Sequence, residues 1–312
     1  MRKLSDTFLH DLQFGLLQPL LSRVKQDNTL MLAIRNDYIN IYYRGGNIIR
    51  VKSKNNSRYY PTFDLQYNIF NRDIPSLPID IASRNDVEMW IESLPRLKEI
   101  MDYYFSAHPK PEREFQQLVA RENNDSTISN TSEYFISDIE FADSEHGARF
   151  DMLAIRWLAS QRKDGTKCKV ALIEMKYADN ALGGNAGLLK HLQDINDFIA
   201  NPVSYENLLE TMENQFNQLD QLGLLKFNKG KSNAKITLNP DDKPELIFIL
   251  ANHNPRSKKL KTVLENSLVE QFDNSQNFDL RFYTASYAGY GLHKESMVTL
   301  TQFRQLMTKR SW

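Results

Sequence analysis

Two short runs constrain the fold more than anything else in the chain: Val170-Ala171-Leu172-Ile173 and Glu245-Leu246-Ile247-Phe248-Ile249-Leu250-Ala251. Neither alternates apolar with polar residues, so each reads as a strand covered on both faces. Such strands belong inside a sheet flanked by helices. The first run extends over Lys169 to Tyr177, and Tyr134 to Phe141, Ala148 to Leu158 and Phe278 to Ala285 read as further strands. Glu112 to Glu122, Ala186 to Ala200, Tyr205 to Leu222 and Lys258 to Phe272 carry helical spacing. This succession predicts an α/β sandwich around a mixed central sheet.

The N-terminal third has a different pattern. Leu4 to Val24 reads as an amphipathic helix with a break or kink at Pro19. Four β-branched and aromatic runs follow: Leu30 to Ile34, Tyr38 to Tyr43, Asn47 to Val51 and Tyr59-Tyr60. Asn36-Asp37 and Gly45-Gly46 separate the first three, which predicts an antiparallel meander. Val87 to Phe105 is helical, with a split at Pro95 as the alternative. His108-Pro109-Lys110-Pro111 is the strongest linker signal. We therefore expect an N-terminal α+β domain over 1–108, serving substrate recognition or assembly, and a second domain over 109–312.

Composition narrows the function classes. The 39 Lys and Arg balance 39 Asp and Glu, so any surface for a polyanion must be a local patch. Cys168 is the only cysteine, which excludes an internal disulfide and a cysteine-cluster zinc site and fits a reducing compartment. The segment Phe8 to Leu21 lacks a continuous signal-peptide core, and no stretch approaches the ~20 apolar residues of a membrane span. The expectation is a cytoplasmic protein without a membrane partner.

Three residues carry the chemistry. Asp151 interrupts an apolar strand, where a carboxylate is costly unless paired, hydrogen-bonded or metal-bound. Glu174, Met175 and Lys176 end the next strand, and alternation puts Glu174 and Lys176 on one side and Met175 on the other. An aspartate, a glutamate and a lysine at adjacent strand ends can hold a divalent cation and a water beside a phosphodiester. A structural ion pair is the competing reading. Glu140 ends its own strand, but Asp143 and Glu145 nearby suggest a solvated acidic turn. Gly183-Gly184 could let backbone approach a phosphate, although the Gly-Lys-Ser/Thr ending of a P-loop is absent. His191 reads as a solvated helix residue, and no second histidine lies at zinc-ligand spacing. Two basic patches stand out. Arg44, Arg50, Lys52, Lys54 and Arg58 lie among Tyr42, Tyr43, Tyr59 and Tyr60, and Arg256, Lys258, Lys259 and Lys261 follow Asn252-His253-Asn254-Pro255. Both suit nucleic-acid phosphates, and both also suit an ordinary solvated surface.

The order of these elements resembles the PD-(D/E)xK nuclease superfamily: a helix bearing a glutamate, a hairpin bearing the aspartate, a strand bearing glutamate-x-lysine, then a helix. The resemblance covers Glu112 to Ala200, with Glu245 to Ala285 supplying further core elements. Phe150 stands where the family often has proline, and Ser160 to Lys167 lengthens the turn between the two strands. The resemblance implies a restriction-endonuclease-like mixed sheet and a divalent-metal-dependent nuclease acting on DNA rather than RNA. Asp151 and Glu174 would ligate Mg²⁺ or Mn²⁺, with the Met175 carbonyl as a further ligand. Lys176 would position water or stabilise charge. Glu114 would be a further acidic residue from the first helix, more inward than Glu112, and Lys190 a phosphate contact. Arg50, Lys52, Arg256, Lys258 and Lys259 complete the expected nucleic-acid contacts. A non-catalytic nucleic-acid-binding or assembly protein with the same fold is the alternative, and a homodimer stays open.

Overall fold

The computed structural model describes residues 2–54, 58–142, 148–184, 187–229, 232, 234–251, 257–283 and 291–308. It is a mixed α/β structure of two compact units, Met1–Arg121 with Asn217–Leu224, and Glu122–Phe216 with Leu225–Trp312.

The first unit begins with α1 (Asp6–Gln13), where the Ser5 hydroxyl accepts from the Phe8 N–H, and α2 (Gln18–Gln26). The helical stretch expected over Leu4 to Val24 is broken into two helices, with the break ahead of Pro19 rather than at it. Pro19 falls in the first turn of α2, where a missing N–H breaks no intrahelical bond. Next, β1 (Leu30–Ile34), β2 (Tyr38–Tyr43), β3 (Gly46–Lys54) and β4 (Arg58–Thr62) form the expected antiparallel meander in chain order. Ile39, Ile41, Ile49 and Val51 are fully buried on its inner face. The β2–β3 turn is Arg44-Gly45, with φ of 50° and 70°, the positive pair that suits a two-residue hairpin. Gly46 already belongs to β3.

Helix α3 (Arg84–Ala107) starts at a Ser83–Asp86 capping box and runs unbroken through Pro95. Burial of Leu94, Leu97, Ile100 and Met101 on both sides of the proline keeps one helix where the sequence allowed two. Helix α4 (Pro111–Asn124) follows. The first unit continues past residue 108 because α4 is tied to the meander. The Gln117 amide accepts from the Gly45 N–H at 2.7 Å and donates to the Thr29 carbonyl at 2.8 Å. Residues 217–224 return to this unit, where the Gln218 amide accepts from the Leu4 N–H and donates to the Leu4 carbonyl, both at 2.9 Å.

The second unit is built on a six-stranded sheet. Its strands are β5 (Tyr134–Ala142), β6 (Arg149–Arg156), β7 (Lys169–Tyr177), β8 (Glu245–Ala251), β9 (Asp279–Tyr283) and β10 (Met297–Val298), in spatial order β10-β9-β8-β7-β6-β5. β5, β6 and β7 are antiparallel, whereas β7, β8 and β9 are parallel. Parallel neighbours need long crossovers. Helices α5 (Leu188–Ile199) and α6 (Pro202–Gln221) lie between β7 and β8, and α7 (Lys258–Leu264) and α8 (Ser267–Glu270) between β8 and β9. The expected Lys258–Phe272 helix is two pieces because the Asn266 side chain accepts from the Leu268 N–H and starts α8 afresh. β10 and α9 (Leu300–Thr308) were not expected. The segments Asn252 to Arg256, Asp143 to Glu145 and Asn185-Ala186, and the end of the strand expected to reach Ala285, lie outside the described residues. No helix among the described residues is long and apolar enough to cross a membrane.

One ion pair links two helices of the first unit. Asp27, the C-cap of α2, accepts from Lys98 Nζ of α3 at 2.6 Å. Burial alone would raise the Asp27 pKa, but the hydrogen bond and charge of Lys98, together with Thr29, hold it at about 2. A depressed carboxylate stabilises the fold above its unfolded pKa of ~3.9 and stops doing so as pH falls through the folded value. The pair should therefore lose about 1 kcal/mol between roughly pH 4 and pH 2, allowing for solvent screening. Urea unfolding across that window should show a steeper pH dependence for wild type than for Lys98→Met; parallel curves would show that the pair is not coupled to folding.

Candidate active site at the ends of β6 and β7

The regular pairing of β6 with β7 ends at Met152 opposite Ile173. Beyond it, side chains replace the backbone ladder. The Met175 N–H donates to Asp151 Oδ2 at 2.8 Å, and the Asp151 N–H points to Glu174 Oε1 at 3.4 Å. Each strand thus presents its carboxylate to the other strand's backbone. The arrangement draws Asp151 and Glu174 together, and alternation along β7 adds Lys176.

Glu174 is fully buried and Lys176 nearly so. A carboxylate without water must find charged or hydrogen-bonding partners. Glu174 Oε2 has two, Lys176 Nζ at 3.4 Å and His191 Nδ1 at 2.7 Å. Met175 is buried on the other side of the strand. The three residues read from the sequence are therefore brought together, with a fourth that was read as solvated. His191 is 22% exposed and lies against Glu174. Helical phase explains this: Leu188, Leu192 and Ile195 are buried, and His191 lies three residues after one and four before another. That spacing was the available signal.

Lys190, one position earlier on α5, is turned away from this contact and pairs with Asp194 at i+4. Glu114 belongs to the first unit, where Arg44 Nη2 holds it at 2.7 Å. The buried residues of α4 include Gln116, Gln117, Val119 and Ala120, whereas Glu112 and Glu114 are half-buried. Gln117 can be buried there because its amide is hydrogen-bonded to backbone. A carboxylate that sequence reading passed over is Asp138 of β5, fully buried beside a β-bulge. It accepts from Gln215 Nε2 of α6 and from the Ile139 N–H, both at 2.8 Å. It lies opposite Leu153, two residues along β6 from Asp151. An aspartate inside the apolar run Tyr134 to Phe141 was the same kind of signal as Asp151.

The exit from β7 is fixed. Ala178 adopts φ 58°, ψ 170°, a region essentially reserved for glycine, and its N–H donates to the Ala251 carbonyl at 2.9 Å. Asp179 accepts from the hydroxyl of Ser257, the N-cap of α7. The loop then reaches Gly183-Gly184, which line a cavity of about 290 Å³ with Lys190, Gln193, Val263 and Val269. A Cβ on Gly184 would meet nothing within 4 Å, and one on Gly183 would meet only the Lys259 side chain at 4.0 Å. Lys258 and Lys259 are exposed at the start of α7, while Arg256 lies outside the described residues. Arg50 and Lys52 lie on the first unit's sheet.

Among the described residues no three His, Cys, Asp or Glu side chains converge as a metal-binding group. The donor set at the strand ends is two carboxylates. That suits Mg²⁺, which commonly takes one or two carboxylates and fills its shell with water and substrate oxygens, better than a closed zinc site. Comparison with protein-family models, curated proteins and solved structures gave no match.

The backbone at Ala178 yields a direct test. Holding a non-glycine residue in this conformation costs ~1–3 kcal/mol, and glycine gives back part of that through unfolded-chain entropy. Ala178→Gly should raise the unfolding free energy by about 1 kcal/mol in urea titration; an unchanged or lower value would show that the position stores no strain.

Proposed function

We propose that the second unit is a divalent-metal-dependent phosphodiesterase with a restriction-endonuclease-like sheet, acting on nucleic acid with DNA as the expected substrate. The observation that carries this reading is the grouping of Asp151, Glu174 and Lys176 where β6 and β7 part. The antiparallel strands β5 and β6 leading into the parallel strands β7, β8 and β9, with a helix after β7, are consistent with the fold that the sequence resemblance implies.

In this reading Asp151 and Glu174 hold Mg²⁺ or Mn²⁺, with the Met175 carbonyl available as a further oxygen. The cation, when bound, lowers the pKa of a coordinated water and offsets charge on the phosphate. Lys176 lies on the same side of β7 as Glu174, so its ammonium can orient that water or stabilise the charge developing on the phosphate. His191 donates its Nδ1 proton to Glu174 and keeps the carboxylate in one orientation, as partners behind metal ligands commonly do. Lys259 and the open Gly183-Gly184 backbone can approach the phosphate on the loop side. The partners of Glu174 would equally suit a buried ion cluster in a non-catalytic nucleic-acid-binding protein, and metal binding separates the two.

Cleavage of single- and double-stranded DNA and of RNA should require Mg²⁺ or Mn²⁺ and stop with EDTA. Glu174→Gln keeps the side chain's size and should, like Lys176→Ala, lower the rate by about 10²–10³-fold or more. Full activity in both variants would sink the mechanism, and calorimetry showing no Mg²⁺ binding by wild type would favour the non-catalytic reading.

His191→Ala should instead raise the Mg²⁺ concentration for half-maximal activity by about 10-fold or more, with much of the rate restored at saturating metal. A lower rate at unchanged metal requirement would remove His191 from this role.

A further inference from the structure

The basic, tyrosine-rich segment of the first unit is sorted by its sheet into two faces. Tyr59 is buried and donates to Asp11 at 2.6 Å, and Tyr43 donates to Asp102 at 3.0 Å. Arg44 pairs with Asp102 and Glu114. None of these is available to a partner. Strand register gathers the rest. Tyr38, Lys52 and Tyr60 lie side by side across β2, β3 and β4; Asn40, Arg50 and Thr62 form the next row, and Lys54 faces Arg58. Directly opposed residues share a face of the sheet, and the other face carries Ile39, Val51, Tyr59 and Pro61 into the core.

Of the eight residues in these three rows, four are cations and none is acidic. Lys54 is paired with Asp80 at 2.8 Å. Arg50 and Lys52 have no ion-pair partner among the described residues. Arg50 donates to Asn40 at 3.1 Å, and both cations lie over the Tyr38 ring, at 5.4 and 5.7 Å from its centroid. Tyr60 is 42% exposed, with no aromatic or cationic neighbour on its ring among the described residues. A positive face with an exposed tyrosine ring fits a polyanion that also offers flat apolar groups.

The exposed ring selects among such polyanions. Bases in a duplex are already stacked on one another and turned inward, whereas an unpaired strand leaves its bases free to stack on tyrosine while its phosphates meet Arg50 and Lys52. We infer that this outer face of β2–β4 binds single-stranded nucleic acid, with Arg50 and Lys52 contacting phosphates and Tyr60 stacking on a base. The inference rests on the first unit alone and does not depend on the phosphodiesterase reading.

The test uses the full chain carrying Glu174→Gln, in EDTA, so that nothing is cleaved. Fluorescence anisotropy with labelled single-stranded DNA, single-stranded RNA and duplex DNA should show tighter binding of a single strand than of duplex. Arg50→Ala with Lys52→Ala should weaken single-strand binding more than 10-fold and reduce the salt slope by about 1.4, at ~0.7 per phosphate contact. Tyr60→Ala should weaken it at least about 5-fold without changing the salt slope, and Tyr60→Phe should retain it. Lys52 and Tyr60 are exposed and Arg50 is half-buried, and circular dichroism melting checks that each variant is folded. Equal affinity for duplex, or single-strand binding unchanged by either the charge or the Tyr60→Ala substitution, would overturn the proposal. Binding in these assays is scored without cleavage, so a failed nuclease reading leaves the result intact.

Discussion

A carboxylate removed from water at the end of a core strand organises the second unit. Glu174 has no exposed surface, so its charge must be met by groups that the fold delivers to it. Lys176 arrives by strand alternation, His191 by the phase of α5, and the Asp151 backbone by the parting of β6 from β7. The same parting frees the Met175 N–H for Asp151. Each element that surrounds the site is thus also a counter-charge or a donor for a buried group. Low polarity strengthens every one of these contacts and makes each costly to lose.

The surroundings of the site are held by contacts of the same kind. Ala178 holds a glycine-like conformation two residues after Lys176, and Asp179 is tied to the N-cap of α7. At the other end of the sheet, Tyr134 and Arg156 bond the two oxygens of Glu245 at 2.7 and 2.8 Å. Burial drives the Tyr134 hydroxyl well above its ordinary pKa, and the charge and hydrogen bond of Glu245 beside it raise it further. The central strands are therefore fixed by buried polar contacts at both ends and by packing between them.

Much of this was legible in the sequence, and the reasons are specific. β7 and β8 were read to the residue because an apolar run covered on both faces has abrupt polar ends. Asp151, Glu174 and Lys176 were legible because a charge in such a run demands a partner. Burial of polar side chains was not. Gln117 and Asp138 are hidden because backbone groups or other side chains satisfy them, and a hydropathy stripe cannot register that. His191 was misread because a histidine scores as polar whichever way its helix turns it. The two-residue β10 has too little sequence for any period to show.

The first unit is discontinuous, with residues 217–224 separated from 1–121 by three of the six strands of the second sheet. Leu4 therefore meets its partner Gln218 across 214 residues. On a ribosome the N-terminal unit emerges early but cannot be completed until α5 and α6 have been made. Its last contacts close a very long loop, the kind of step that slows folding and prolongs exposure of unfinished surface. Cutting the chain at the Pro-rich segment near residue 108 would isolate a fragment that lacks both the Gln117 clamp and the Gln218 clasp. The chain's two ordinary-sized halves are thus one covalent assembly problem, solved only after residue 224 has been synthesised.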